Sequence, residues 1–252
     1  MSKAGLDLVV NLVKKDVRVR YMGSALGFLW SLGSPLLTTL TYLVVFKFIF
    51  HNPDQKFVLY LVTGIVHWTL FSQLVLQGCD WLYGNSNLIK KIKFDRLLLP
   101  IAGTGTVLIF WTISLAVYAI VYAPLGGSIS WAMLYYPIVF LGYLSFALGI
   151  SLILSVMYIK FRDIKYLVEV TMPIMFWLTP IVWQPNNLTS DIAEWLKLNP
   201  LTLYFNNFND ILYRGVTPNL YTLLISTCLG LGVLLVGYII FRKQSQNIVE
   251  EL

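Results

Sequence analysis

Charge is what this sequence has least of. Asp, Glu, Lys and Arg make up 12% of its 252 residues, against 58% apolar residues and a mean hydropathy of +0.73, far from the composition of soluble domains. A soluble core cannot enclose that much apolar surface, so the length is better counted in membrane crossings of about 20 residues each. Cysteine is nearly missing too. Cys79 and Cys228 each lie inside or at the edge of an apolar run, which excludes a disulfide framework and reads as packing. The two histidines, His51 and His67, are read as structural. There is no G-x-x-x-x-G-K-[ST] or G-x-G-x-x-G loop and no H-E-x-x-H or G-x-S-x-G motif. The chain therefore carries no nucleotide site or hydrolase constellation of its own, and if ATP and Mg drive it, another chain holds them. No early apolar run precedes a cleavage signal, so no cleaved signal peptide is expected.

Ionisable residues near the apolar runs are confined to Asp80 and Glu169, at run edges. Proton- or ion-coupled carriers keep such residues inside the membrane, so ion coupling is disfavoured. What remains is a conduit for a large, mostly neutral solute moved by a force applied from outside the membrane. The net charge of +6 is spread through loops rather than along one helix face, which marks topology and not nucleic-acid binding.

What is present is a series of charge-free runs. One of them, Leu97 to Ile159, has no charged residue over 63 positions and is divided by Pro124, Gly126, Gly127 and Ser128. The fold class expected is an all-α membrane protein, a single domain over 1–252 with six spans at 25–50, 57–80, 97–123, 131–159, 167–183 and 220–241. Lys and Arg divide fourteen to four between the two sets of loops. The positive-inside rule thus puts both termini in the cytoplasm, in a multi-pass protein of the inner (plasma) membrane.

Three segments outside the spans have structure of their own. In 1–24, Leu6, Val9, Val10, Val13, Val17 and Tyr21 recur at helical spacing opposite Asp7, Asn11, Lys14, Lys15 and Arg18, the pattern of an interfacial helix. Within 84–96, Ser86 to Phe94 interleaves Leu88, Ile89, Ile92 and Phe94 with three lysines, as in a short amphipathic surface helix. The 184–219 stretch is long and rich in apolar residues. Asp191 and Glu194 at cap spacing and the Asn199-Pro200 break divide it into two short helices dipping back toward the membrane, at a pore mouth. Aromatic rings can stack on sugars and let them slide, which makes Trp30, Phe176, Trp177, Trp183, Tyr204 and Phe205 channel or gate candidates, beside the membrane-belt role open to any of them. Thr38, Thr39 and Thr41 either line a polar path or bond back to their own helix.

Several landmarks occur together and in order. They are Arg20-Tyr21 with Leu26-Gly27-Phe28-Leu29-Trp30 and Pro35; Asn87-Leu88-Ile89-Lys90-Lys91 with Phe94 and Pro100; Phe161-Arg162-Asp163-Ile164; Thr179-Pro180-Ile181; and Asn199-Pro200. This set resembles, over essentially the whole chain, the ABC-2-type permeases that export polyprenyl-linked polysaccharides such as O-antigen, teichoic acid or capsule. It departs at Phe94-Asp95-Arg96, where the family often has Phe-Pro-Arg. The resemblance implies a homodimer with two copies of an ABC ATPase, which binds the ATP and Mg. It also implies a coupling helix at Asn87, Leu88, Ile89, Lys90, Lys91 and Ile92, assisted by Arg162 and Asp163. The substrate would be a polyprenyl-diphosphate-linked glycan whose diphosphate meets Arg18, Arg20 and Tyr21, since arginine suits phosphate oxygens. Two rival readings are an ABC-2 exporter of small lipids or drugs and an intramembrane enzyme acting on lipid-linked sugars.

Overall fold

In the computed structural model, residues 3–21, 29–45, 56–184, 196 and 198–245 are described, and their regular structure is all helical with no strand among them. The helices are α1 (Lys3–Tyr21), α2 (Leu29–Leu43), α3 (Phe57–Tyr83), α4 (Ser86–Lys91), α5 (Leu98–Tyr122), α6 (Tyr136–Lys160), α7 (Asp163–Leu178), α8 (Pro200–Asn209) and α9 (Leu220–Ser245). A 3-10 turn, Trp131–Tyr135, leads into α6, and a π turn, Asp210–Arg214, extends α8. The long charge-free run breaks where its glycines fall. Gly126 takes φ +88, a left-handed conformation that side chains with a Cβ rarely adopt.

Four stretches among the described residues are long and apolar enough to cross a membrane: Phe57–Lys91, Leu98–Tyr122, Trp131–Lys160 and Leu220–Ser245. α2 and α7, at 15 and 16 residues, are shorter than the roughly 20 residues a crossing needs, so length alone does not carry the count of six.

α3 is the centre of the bundle. Its apolar residues run around the whole circumference, so it has no polar face to turn outward. It packs on α5, α6 and α8, with Leu59, Leu61, Leu70, Leu74 and Leu82 fully enclosed. Its best membrane window is 78% buried at a mean hydropathy of 1.5, whereas that of α9 is 22% buried at 2.4. α9 is held almost entirely by α6, through interlocked glycines. Gly142 and Gly149 of α6 oppose Gly230 and Gly237 of α9, and a Cβ on Gly149 would stand 2.5 Å from the Val233 carbonyl. Apolar helices in lipid gain nothing from hiding from each other. They associate by close backbone approach, which small residues at two-turn spacing permit.

α8 turns its aromatic face into the space between α3 and α6. Phe208 stacks on His67 at 3.9 Å between ring centroids, and Tyr143 meets Tyr204 at 5.4 Å and Phe208 at 5.3 Å. The polar atoms of these rings are partnered. The Tyr204 hydroxyl donates to Ser226 O at 2.6 Å, the Tyr143 hydroxyl to His67 O at 2.7 Å, and His67 Nε2 lies 3.0 Å from the Tyr136 hydroxyl. Such pairing is what makes burial of these groups tolerable.

This arrangement corrects one expectation. Tyr204 and Phe205 are 0% and 1% exposed, so neither ring has a face left for a passing sugar, and both are packing residues of the bundle. Of the two short helices expected in 184–219, the one after Asn199-Pro200 is α8; the Asp191 and Glu194 segment lies outside the described residues.

Candidate substrate groove and coupling surface

A cavity of about 520 Å³ opens between α2, α3 and α7, lined by Thr38 and Tyr42, by Ile65, Trp68, Thr69 and Leu76, and by Glu169, Met172, Pro173, Phe176 and Trp177. The α7 residues fall at i, i+3, i+4, i+7 and i+8, one face of the helix. Three expected channel residues, Thr38, Phe176 and Trp177, therefore meet here. The groove also contains Trp68, which sequence patterning did not single out because one Trp in an apolar run has no distinguishing neighbour. Trp68 meets Phe176 edge-on at 5.6 Å, and Phe176 meets Trp177 edge-on at 5.8 Å, giving a run of rings along one wall. Of the threonines, Thr41 bonds back to Leu37 O at 2.8 Å and is not in the groove lining, whereas Thr69, which is, bonds back to Ile65 O at 2.8 Å. The side chains of Trp30 and Tyr21 lie outside the described residues.

α7 is anchored at both ends. At its C-terminal end Thr179 leaves helical geometry before Pro180, as residues preceding proline do. The Tyr60 hydroxyl from α3 lies 2.8 Å from Pro180 O and 2.6 Å from Trp183 O. Asn199 Nδ2 donates to Leu178 O and to Thr179 Oγ1, while its Oδ1 caps α8 by accepting from Leu201 N at 3.0 Å. Trp183, a channel or gate candidate, gives its indole N–H to Trp177 O at 2.8 Å and is half-buried.

At its N-terminal end Lys165 donates to Asp80 Oδ2 of α3 at 2.7 Å, a hydrogen bond that pushes the lysine pKa up. The Arg162 guanidinium lies over the Tyr83 ring, 3.7 Å from its centroid, a cation–π contact. Asp163 opens α7 as the acidic residue of its first turn, where a helix N-terminus favours negative charge.

The same end carries α4. Ile89 is buried, Leu88 half-buried, and Asn87, Lys90, Lys91 and Ile92 are exposed. Ile89 through Phe94 and Arg96 shape a concavity of about 410 Å³. Its neighbours hold it from three sides: Lys15 of α1 is 3.5 Å from Asn85 Oδ1, Arg242 of α9 is 3.7 Å from Asp95, and Arg162 covers Tyr83 one turn before α4. Burial lowers the Arg96 pKa, and its Nη1 is enclosed without a hydrogen-bond partner among the described residues.

α1 lies along α5. Arg18 and Arg20 are both exposed, and Arg20 spreads over the Phe110 ring at 4.3 Å. The structure thus keeps the two arginines on an accessible surface and outside the groove lining.

Residues 8–213 match the family described as ABC-2 type transporter. The chain belongs to that family. Among curated proteins, this ABC-2 chain is similar to an O-antigen export system permease protein RfbA of Klebsiella pneumoniae, at 28% identity over 98% of this chain and 95% of that protein. It is similar to RfbA of Myxococcus xanthus at 26%, over 97% of this chain and 95% of that protein. The polysialic acid transport protein KpsM of Escherichia coli is 21% identical, with 98% of each chain covered.

Proposed function

We propose that this chain is the transmembrane permease subunit of an ATP-driven polysaccharide exporter. It spans the inner membrane six times with both termini in the cytoplasm and works as a homodimer with two copies of an ABC ATPase, which supply the ATP and Mg site. The solute is a glycan on a polyprenyl diphosphate, moved outward. The observation that carries this reading is the single helix α7. Its outer half forms the aromatic wall of the groove at Phe176 and Trp177, and its inner end is tied through Lys165–Asp80 and Arg162–Tyr83 to the part of α3 that leads directly into α4. Near-full-length similarity to O-antigen export permeases supports the substrate class.

In this mechanism the ATPase grips Asn87 to Ile92, the exposed lysines of α4 giving it a cationic handle. Displacement of α4 passes through the Arg162 and Lys165 contacts into α7. α7 pivots on the turn held by Tyr60 and Asn199, and so widens or narrows the groove against α2. Sugars slide over Trp68, Phe176 and Trp177, whose flat faces hold rings without fixing one register. Arg18 and Arg20 hold the diphosphate at the membrane surface while the lipid stays outside the groove.

The test is purification from native membranes followed by an ATPase assay with lipid-linked glycan. An ATPase recovered at one-to-one stoichiometry and stimulated by the glycan is expected. Stimulation by small hydrophobic compounds alone would transfer the assignment to a lipid or drug exporter. Product formation by the isolated chain would make it an enzyme.

A further inference from the structure

The polar groups lining the groove are the hydroxyls of Thr38, Tyr42 and Thr69, the indole N–H groups of Trp68 and Trp177, and one carboxylate, that of Glu169. Glu169 is exposed on the groove wall and makes no hydrogen bond or ion pair among the described residues. An ionised carboxylate only accepts. Pro173, on the same wall four residues later, has no N–H to give the Glu169 carbonyl, so that backbone oxygen also lacks its helical partner. Thr69 has already spent its proton on Ile65 O, leaving lone pairs. No Lys or Arg lines the groove among the described residues. The nearest lysine, Lys165, is one turn below Glu169 and is matched by Asp80 at 2.7 Å; Arg162 is a further turn away, over Tyr83. The groove therefore keeps one negative charge beside its rings with no cation in its lining, the charge of Lys165 acting on it from one turn away while paired with Asp80.

We infer that Glu169 is a specificity-determining residue: it makes the groove select neutral, hydroxyl-rich glycans and reject those bearing carboxylates. This rests on the export reading above. Sugar hydroxyls donate to the carboxylate while the ring faces lie on Trp68, Phe176 and Trp177. A uronic or sialic acid at the same place brings a second negative charge and no proton to share. Specificity here comes from an unfavourable contact with the wrong solute as much as from a favourable one with the right solute.

The experiment uses cells carrying the chain with its own ATPase and two polymers on the same polyprenyl diphosphate, one a mannose homopolymer and one with a uronic acid in each repeat. Surface display is normalised to the membrane abundance of the chain. The wild type should display the neutral polymer about fivefold or more over the acidic one, the scale of one close like-charge contact in a partly screened site. Glu169→Gln should narrow the ratio to within about twofold by raising display of the acidic polymer, and Glu169→Asp, which keeps the charge, should preserve discrimination. Equal display of both polymers by the wild type, or an unchanged ratio in Glu169→Gln, overturns the role of Glu169. The export reading is judged separately. Neutral polymer that still reaches the surface when the chain is deleted sinks that reading, whereas loss of display on deletion with no effect of Glu169→Gln on the ratio sinks only the specificity assignment.

Discussion

Replacing Gly149 by alanine tests whether α6 and α9 form a rigid pair. A Cβ there would stand 2.5 Å from the carbonyl carbon and oxygen of Val233 and 2.6 Å from Leu234 N, all backbone atoms. Ordinary contacts lie near 3.5–4.0 Å, so the two helices must separate by about 1 Å. Overpacking of this kind costs about 1–3 kcal/mol, and a gap of that width forfeits about a quarter to a half of the dispersion energy of the atoms on either side. Alanine also has the better helix propensity, by about 1 kcal/mol, which offsets part of the loss. Gly232→Ala isolates that offset, because nothing lies within 4 Å of a Cβ at Gly232. The difference between the two variants is therefore the packing cost itself. At about 2–4 °C per kcal/mol for a chain of this size, a packing cost near 2 kcal/mol makes Gly149→Ala unfold about 5 °C below Gly232→Ala in thermal melts of the detergent-purified protein. A Gly149→Ala midpoint at or above that of Gly232→Ala would show that the glycines do not set the α6–α9 distance.

Tyr60→Phe removes the hydroxyl that holds Pro180 O and Trp183 O, at a cost of about 1–2 kcal/mol. Hydrogen exchange should quicken in peptides covering Thr179 to Trp183 and stay unchanged in α9; uniform change would refute a local clamp. Burial raises the pKa of Asp210 while Arg214, 2.8 Å away, pulls it down. A carboxyl whose folded pKa is raised gives stability that is complete below its unfolded value and lost as pH climbs through the folded one. Asp210→Asn should therefore be at least as stable as the wild type at pH 7, and the wild type should gain on the variant as pH falls below the raised pKa toward about 4. A wild type that loses ground to the variant on acidification would mean that the Arg214 pair, not desolvation, dominates.

Helix positions were legible because charge is so scarce: Lys56 before Phe57, Arg96 before α5, and Lys160 and Arg162 around the α6–α7 junction mark where apolar runs stop. The amphipathic period of Lys3–Tyr21 was equally plain, since its polar and apolar residues separate by face. What a ring touches was not legible. Tyr204, Phe205, Phe176 and Trp177 read alike in a row of aromatics, yet two are enclosed in the bundle against α6 and two face the groove, a choice made by tertiary packing. Nor could 85 residues of separation reveal that Lys165 finds Asp80. Glu169 was visible as a carboxylate at a run edge, but its place beside Trp68 depends on how α3 and α7 meet.

The central position of α3 bears on how the protein is made. Of the four long apolar stretches, the one of lowest hydropathy is the one most enclosed by protein, and α5, α6 and α8, which enclose it, are all synthesised after it. Insertion of each helix responds to its own hydrophobicity, so α3 leaves the ribosome with a weak claim on the bilayer and none of its later partners present. Its biogenesis accordingly depends on being sheltered, by the insertion machinery or by α1 and α2, until the second half of the chain arrives.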